Sequence, residues 1–415
     1  MSLNDDQLQA LAYLNRGCNV FITGSAGTGK THLIRFFIHD QHTYGKQIGI
    51  TATTGAAALH IGGKTLHSFM AIGLAKKSAE ALAMQTMTKN KRTAKKLRAL
   101  DTLVIDEVSL MDAELFDKLS AYLQIIRDDV RPFGGVQLVL CGDFAQLPPV
   151  SGSYCFTSKV WKQANIKLAK LTTPMRQQDD TDFFSLLERA RWGALTEKDM
   201  ETLRSRVQAT ESFPDYIVPT RLYSVNADVD AINSQHLQDI LDKGETMQQY
   251  EPKYEGGAEA QKERTRAWAT SLGVPARLAL CRGAQVVVTY NINQEDLVNG
   301  TRAVVEDLSP TSVIIKLKNG VRKVISPIVV SCDDDKSLRV TYLPLKLAWA
   351  VTIHRSQGLT LDAVQMDLGN RIFATGQAYT ALSRAKTLES VSIISLSPNA
   401  FKADPLVLKF YGVSQ

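Results

Sequence analysis

Cysteine is scarce in this 415-residue chain, and the little there is makes no pattern. The five residues, Cys18, Cys141, Cys155, Cys281 and Cys332, are scattered, odd in number and never spaced as C-x-x-C. That argues against a disulfide framework or a zinc site and suits a reducing compartment. Long apolar runs are missing too. No stretch approaches the ~20 residues of a membrane span, and the N-terminus lacks a basic-then-apolar leader pattern. No internal repeat or low-complexity segment is evident. The expectation is a soluble intracellular protein, with cytoplasm and nucleus equally open.

What is present is ordinary in bulk: 44% hydrophobic and 22% charged residues, as in globular proteins. The length suggests two to four domains. Net charge is +6, and its placement says more than its size. Between Lys76 and Arg98 stand eight basic residues (Lys76, Lys77, Lys89, Lys91, Arg92, Lys95, Lys96, Arg98) against one acid, Glu80. Two readings are open: a solvated helix face, or a patch facing a polyanion such as nucleic acid.

The stretch Gly24-Ser25-Ala26-Gly27-Thr28-Gly29-Lys30-Thr31 fits G-x-x-x-x-G-K-[ST]. An apolar run, 18–23, predicts a strand before it, and 32–39 predicts a helix after it. Glycines let successive N–H groups curl toward phosphate oxygens with a helix N-terminus behind them. Lys30 would reach the β- and γ-phosphates and the Thr31 hydroxyl would hold Mg²⁺. Residues 100–106 read as another buried strand, ending in Asp106-Glu107. Adjacent carboxylates at such an exit are costly unless used. In a P-loop protein the first holds the Mg²⁺ shell and the second can activate water. Residues 136–141 form a further strand, leading into Gly142 to Val150, where Gln146 can sense the γ-phosphate or position water. Pro148 and Pro149 stiffen the end of that loop.

Other stretches keep two readings. Asn4 caps a helix over 3–16, and Gln7 three residues on is either its capping-box partner or an amide that pairs with adenine. After a strand at 47–52 come Thr54 and then His67-Ser68-Phe69. Phe69 is either a ring for base stacking or a core residue, and His67 a groove residue or a satisfied polar group. Residues 242–276 read as a solvated connection. From Ala284 the pattern changes to short strands (285–290, 301–307, 312–318, 321–325), with Asn319-Gly320 as a hairpin signal, predicting a small inserted β-barrel or sheet. A nucleotide-dependent switch is the competing class, but a GTPase would carry N-K-x-D, and Asn90-Lys91-Arg92-Thr93 lacks the Asp.

Taken in order, eight blocks resemble the petite-integration-frequency family of DNA helicases, superfamily 1, subgroup B. They are Leu3-Asn4 with Gln7; 24–31; 51–69; 104–110; Pro132-Phe133-Gly134-Gly135 running into 142–150; Arg176-Gln177; 345–360; and 379–384. The Pro-Phe-Gly-Gly segment and the stretch ending His354-Arg355-Ser356-Gln357-Gly358 are the specific ones. The resemblance implies an α/β fold of two RecA-like P-loop domains. These span 1–170 (with a basic wedge near 70–100) and 171–241 plus 341–415. An inserted region, 242–340, holds a Src-homology-3-like barrel near 284–340. It implies an ATP- and Mg²⁺-dependent 5′-to-3′ DNA helicase in replication, repair or recombination, a monomeric motor on single-stranded and tailed or forked duplex DNA. An RNA helicase of the same superfamily is the near alternative. Gln7 becomes an adenine contact, and Gly358 joins the nucleotide residues. Arg176 and Arg384 are expected to reach across a cleft to the γ-phosphate. Thr54, His67, Ser68, Phe69, His354 and Ser356 are implied on the single-strand path. Arg355 stands where the family usually has Lys.

Overall fold

The computed structural model describes residues 3–73, 75–175, 180–207, 220–290, 292, 297, 301–317, 319–332, 337–358, 361 and 363–413. The side chains of 56, 59, 226 and 271 are not described. The chain packs as two compact units, one of residues 1–207, 368–389 and 395–415, the other of 208–367 and 390–394. Packing thus groups 171–207 and most of the C-terminal segment with the first unit, whereas the sequence reading placed them with the second half.

The first unit is built on a six-stranded parallel sheet. In chain order its elements are α1 (Asp5–Asn15), β1 (Val20–Gly24), α2 (Lys30–Thr43), β2 (Ile48–Ala52), α3 (Gly55–His60), β3 (Lys64–Thr65) and α4 (Leu66–Met70). Then come α5 (Ala79–Lys89), α6 (Lys91–Arg98), β4 (Thr102–Asp106), α7 (Ala113–Arg127), β5 (Gln137–Cys141), α8 (Lys159–Gln163) and β6 (Lys167–Leu171). The strand order is β3-β2-β4-β5-β1-β6. The central strands are apolar without alternation because helices cover both faces of a parallel sheet. Val20, Phe21, Ile22, Leu103, Val104, Ile105, Leu138, Val139 and Leu140 are fully buried. Since β1, β4 and β5 are parallel neighbours, their C-terminal ends deliver the P-loop, the acidic pair and the 142–150 loop to one edge. Ligands of open α/β sheets bind at that edge.

The Pro-Phe-Gly-Gly segment is a structural clamp. Phe133 and Gly134 both take positive φ, which puts the Phe133 ring against Phe116. Arg127 then donates to the carbonyls of Gly134, Leu97, Arg98 and Leu100 at 2.6–2.9 Å. It therefore ties the C-terminus of α6 to the loop, satisfying carbonyls that a helix end leaves without partners.

The second unit holds all but the last residues, 368 and 395–396, of a four-stranded sheet with the order 350–352, 220–223, 364–368, 391–396. Its strand Thr220–Tyr223 pairs in parallel with 350–352 on one side and 364–368 on the other. A five-stranded antiparallel sheet runs in the order 322–325, 312–317, 302–309, 285–288, 345–347. Gly320, at φ +82, turns the hairpin read from Asn319-Gly320, with Asn319 Oδ1 accepting from the Val321 N–H. Residues 242–276 correct the sequence reading. They hold the strands Gln248–Tyr250 and Lys253–Tyr254 and the helix Glu259–Ser271. That helix escapes notice because only a narrow stripe, Thr265, Trp268 and Ala269, turns inward, with Trp268 and Ala269 packing on Val340 and Tyr342.

Candidate active site

The P-loop curls between β1 and α2 as the motif requires. Gly29 is the left-handed N-cap of α2, at φ +81, with no side chain capping it. A Cβ there would lie 2.6 Å from Gln7 Nε2 and 3.2 Å from Met175 Cγ, so the position needs glycine. The first N–H groups of a 14-residue helix are thereby left to face an anion. Lys30 Nζ donates to the carbonyls of Gly24 (2.7 Å) and Ser25 (2.8 Å). Burial pulls its ammonium below the ordinary lysine value, and the Asp143 charge works against that. The buried Thr28 hydroxyl donates to Ser25 O, and the Met175 N–H to Gly27 O. Ala26 is buried and Thr31 half-buried. The loop's outer wall, residues 172–175, is fixed by Asp6, which accepts from both the amide and the hydroxyl of Thr172.

Of the two roles left open for Gln7, the capping box is the one seen, and the side chain is fully buried. It completes the capping box with Asn4, at 2.9 and 3.1 Å, and its Nε2 donates to Gly29 O at 3.3 Å. Its Nε2 keeps one further N–H and its Oε1 one further lone pair.

Asp106 is buried at the end of β4 and accepts from the Glu107 N–H at 2.9 Å. Burial pushes its carboxyl up, opposed by hydrogen bonds from the Cys141 thiol and the Glu107 amide. Glu107 sits at φ +53, ψ +44, a left-handed conformation that costs a non-glycine residue about 1–2 kcal/mol. Thr53 holds the turn in place, its N–H on Asp106 O and its hydroxyl on Glu107 O. Gln146 is buried, and its Oε1 has no hydrogen-bond partner among the described residues. Such an orphan acceptor fits a site that receives a water or ligand proton. Gly376 presses its backbone on the carbonyls of Ala145 and Gln146. Arg384 belongs to the same unit. It is buried, with Nε on Thr380 O (2.9 Å) and Nη2 on Ser383 Oγ (2.8 Å). Burial lowers its pKa, with the Glu107 charge the largest opposing influence. Arg176 lies outside the described residues.

The residues expected on a single-strand path divide differently. Thr54 caps α3 through Ala57 N–H, His67 is half-buried with its pKa pushed down by burial, and Ser68 is exposed. Of the two readings open for Phe69 the structure shows the core one: its ring fills the space left by Gly49, whose Cβ would come 2.5 Å from Phe69 Cζ. One ring face is covered by Lys96 Nζ, 3.5 Å from the centroid. In the second unit Ser356 is likewise buried, its hydroxyl donating to Ile353 O at 2.8 Å. His354 is half-buried with its pKa pushed down by burial, Arg355 is exposed, and Gly358 turns at φ +78.

Residues 2–201 match the model of the PIF1-like helicases. A Pif1 ATP-dependent DNA helicase of Bdellovibrio bacteriovorus is 34% identical over 99% of this chain and 92% of its own length. The chain belongs to the PIF1-like helicase family. The human ATP-dependent DNA helicase PIF1 is 38% identical over 99% of this chain. The chain spans 63% of that relative's length. The crystal structure of Pif1 helicase from Candida albicans superposes with a TM-score of 0.87 at 32% identity, covering 99% of both chains. This PIF1-like chain therefore has the mixed α/β architecture with parallel sheets seen there. Among its described residues no helix is long and apolar enough to cross a membrane.

Sequence reasoning passed over a second set of residues behind the PIF1-like P-loop. Asp143 is fully buried and accepts from Arg191 Nε (3.2 Å) and Nη2 (2.9 Å). Tyr379 Oη accepts from the Ala26 N–H and donates to Asp143 Oδ2. The Gly-Asp step at the end of β5 is the one local signal for this set, because a carboxylate directly after a buried strand needs a partner.

Proposed function

We propose that the chain is an ATP-dependent DNA helicase that moves 5′ to 3′ along single-stranded DNA and unwinds tailed or forked duplex. The observation that carries the reading is one edge of one sheet holding the P-loop, Asp106-Glu107 and Gln146 together, in a chain of the PIF1-like family. Lys30, drawn now to its own loop carbonyls, turns to the β- and γ-phosphates, and the N-terminus of α2 receives their charge. Thr31 and Asp106 fit Mg²⁺, a hydroxyl and one buried carboxylate being what such sites draw from the protein. The ion would neutralise phosphate charge. Glu107 takes the proton of the attacking water and Gln146 Oε1 orients that water. Gln7 reads the adenine edge. Arg384 and Arg176 stabilise the transferring phosphoryl group, each removal costing turnover about 10³–10⁵-fold if both act as fingers.

On the DNA side, the reading keeps Thr54, His67, Ser68 and His354 beside the strand. Phe69 and Ser356 shape the path from behind rather than touch it. The helices α5 and α6 act as the basic wedge, and the five-stranded antiparallel sheet, read as a Src-homology-3-like barrel, covers the strand. The motor works as a single copy. The test is an unwinding assay on duplexes with a 5′ or a 3′ tail, with DNA and RNA tracking strands side by side. Unwinding that needs ATP and a 5′ DNA tail is expected. Efficient unwinding from a 3′ tail alone overturns the polarity, and preference for the RNA tail overturns the substrate.

A further inference from the structure

Four segments far apart in sequence meet behind the P-loop at buried polar groups. They are the loop itself at Ala26, the loop after β5 at Asp143, the helix Gln377–Leu382 at Tyr379, and the end of the helix Thr181–Arg191 at Arg191. All four residues lie in the first unit and each is at most 8% exposed. The direction of the bonds is forced. A phenol has one proton to give. Asp143 can only accept when ionised, so Tyr379 gives its proton to Asp143 Oδ2 at 3.3 Å and its lone pair receives the Ala26 N–H at 3.2 Å. Arg191 anchors the far end by two bonds to Asp143 Oδ1, and the Ala145 N–H adds a third. Burial and the Asp143 charge both push the Tyr379 phenol up, keeping it a donor.

We propose that Tyr379 is a positioning residue for the P-loop, holding the Ala26 peptide so that the loop is already curled for a triphosphate. This rests on the ATP reading above. The phenol–carboxylate bond, at 3.3 Å, is longer than the 2.5–2.7 Å of a tight O–H···O⁻ contact, and the Ala26 N–H bond, at 3.2 Å, is at the long end of ordinary N–H···O bonds, so the two set the loop's place without clamping it. A few tenths of an ångström of loop movement is felt at Asp143, three residues before Gln146, and at the helix that leads to Arg384. Without the hydroxyl the Ala26 N–H turns to other partners and the loop samples shapes that do not fit phosphate. If the fitting shape falls to a tenth of the population, apparent affinity falls about tenfold.

The experiment is titration of Tyr379→Phe with a fluorescent ATP analogue, together with the KM and kcat of DNA-stimulated hydrolysis and a thermal melt. Tyr411→Phe is the matched control. Its hydroxyl is equally buried and lies between Thr23 Oγ1 (2.7 Å) and the Phe144 N–H (3.2 Å), with no bond to the loop segment 25–29 among the contacts described. Tyr379→Phe is expected to weaken the analogue and raise the KM for ATP about tenfold, with kcat at saturation changed less than threefold. Tyr411→Phe should lower the melting temperature at least as much and leave analogue affinity within twofold of wild type. Wild-type affinity in Tyr379→Phe overturns the proposal. So does an equal loss in Tyr411→Phe, because core loosening would then explain both. A Lys30→Ala protein that binds the analogue as well as wild type refutes the ATP reading itself, whatever Tyr379 does.

Discussion

Replacing Gly376 by alanine should separate nucleotide binding from turnover. At φ +70 this residue turns the chain into the helix Gln377–Leu382, and a left-handed alanine costs about 1–2 kcal/mol. The added Cβ would fall on the carbonyl oxygens of Ala145 and Gln146 and 2.8 Å from the Gln146 carbonyl carbon. Ordinary carbon contacts lie at about 3.5–4.0 Å, so either the turn or the Gln146 peptide must retreat by roughly 1 Å. Overpacking of this kind adds about 1–3 kcal/mol, for a total destabilisation of about 2–5 kcal/mol. A catalytic group displaced by about 1 Å costs on the order of 10² in rate. The three atoms nearest the added methyl all belong to Ala145 and Gln146, none to the P-loop. Gly376→Ala should therefore bind ATP within tenfold of wild type, hydrolyse it roughly a hundredfold more slowly at saturation, and unfold at lower denaturant. Steady-state hydrolysis with single-stranded DNA and a guanidinium melt read both numbers. A variant with wild-type kcat and an unchanged midpoint would refute the close approach of Gly376 to the Gln146 loop and the role given to it.

Lys30→Ala should abolish ATP turnover, and DNA-stimulated hydrolysis that persists would remove the active-site assignment. Neutralising Lys89, Lys91, Arg92 and Lys95, all exposed, should weaken single-strand binding and flatten its salt dependence by about 0.7 in log–log slope per lost phosphate contact. An unchanged slope returns the run to a solvated face. Asp199→Asn should destabilise the first unit by about 2 kcal/mol at neutral pH, measured by denaturant melts. Asp199 makes two 2.7 Å bonds to Arg189 and closes the Thr196 capping box. The Arg189 guanidinium holds its carboxyl well below the usual range. Its stabilising contribution is therefore full above the unfolded value near pH 4 and is lost as pH falls through the lower folded one. The gap between variant and wild type should narrow steadily as pH falls below about 4, and a gap as wide at pH 2 as at pH 7 would refute the ion-pair account.

The legible parts of the molecule were those where a local pattern has one physical solution. A glycine-rich turn between an apolar run and a helix can hardly be anything but this loop, and the strands ending at Gly24, Asp106 and Cys141 were found within two residues of their observed bounds. Asn4 and Gln7 were legible because a capping box is a four-residue motif. Phe69 and Ser356 were not, since residue type next to a motif says nothing about which way a side chain faces. Both turned inward to fill space, Phe69 against Gly49 and Ser356 against its own helix turn. The helix Glu259–Ser271 was hidden by its charged outer face, where Lys262–Glu259 and Arg266–Glu263 pair one turn apart. The Arg191–Asp143–Tyr379 set was out of reach for a different reason: its members are 48 and 236 residues apart, and no local pattern spans that.

The clamp made by Arg127 has a consequence for how this surface could change. The helix α6 has eight residues, of which five are basic, too short and too self-repelling to hold together by itself in water. Arg127 from one side, and Lys96 lying on the Phe69 ring and carbonyl from the other, hold it in shape from beneath. The outward side chains of Lys91, Arg92 and Lys95 are thereby relieved of any part in folding. They form an interchangeable keyboard on a fixed frame, which mutation or design can retune in charge and spacing while the sheet below keeps its register.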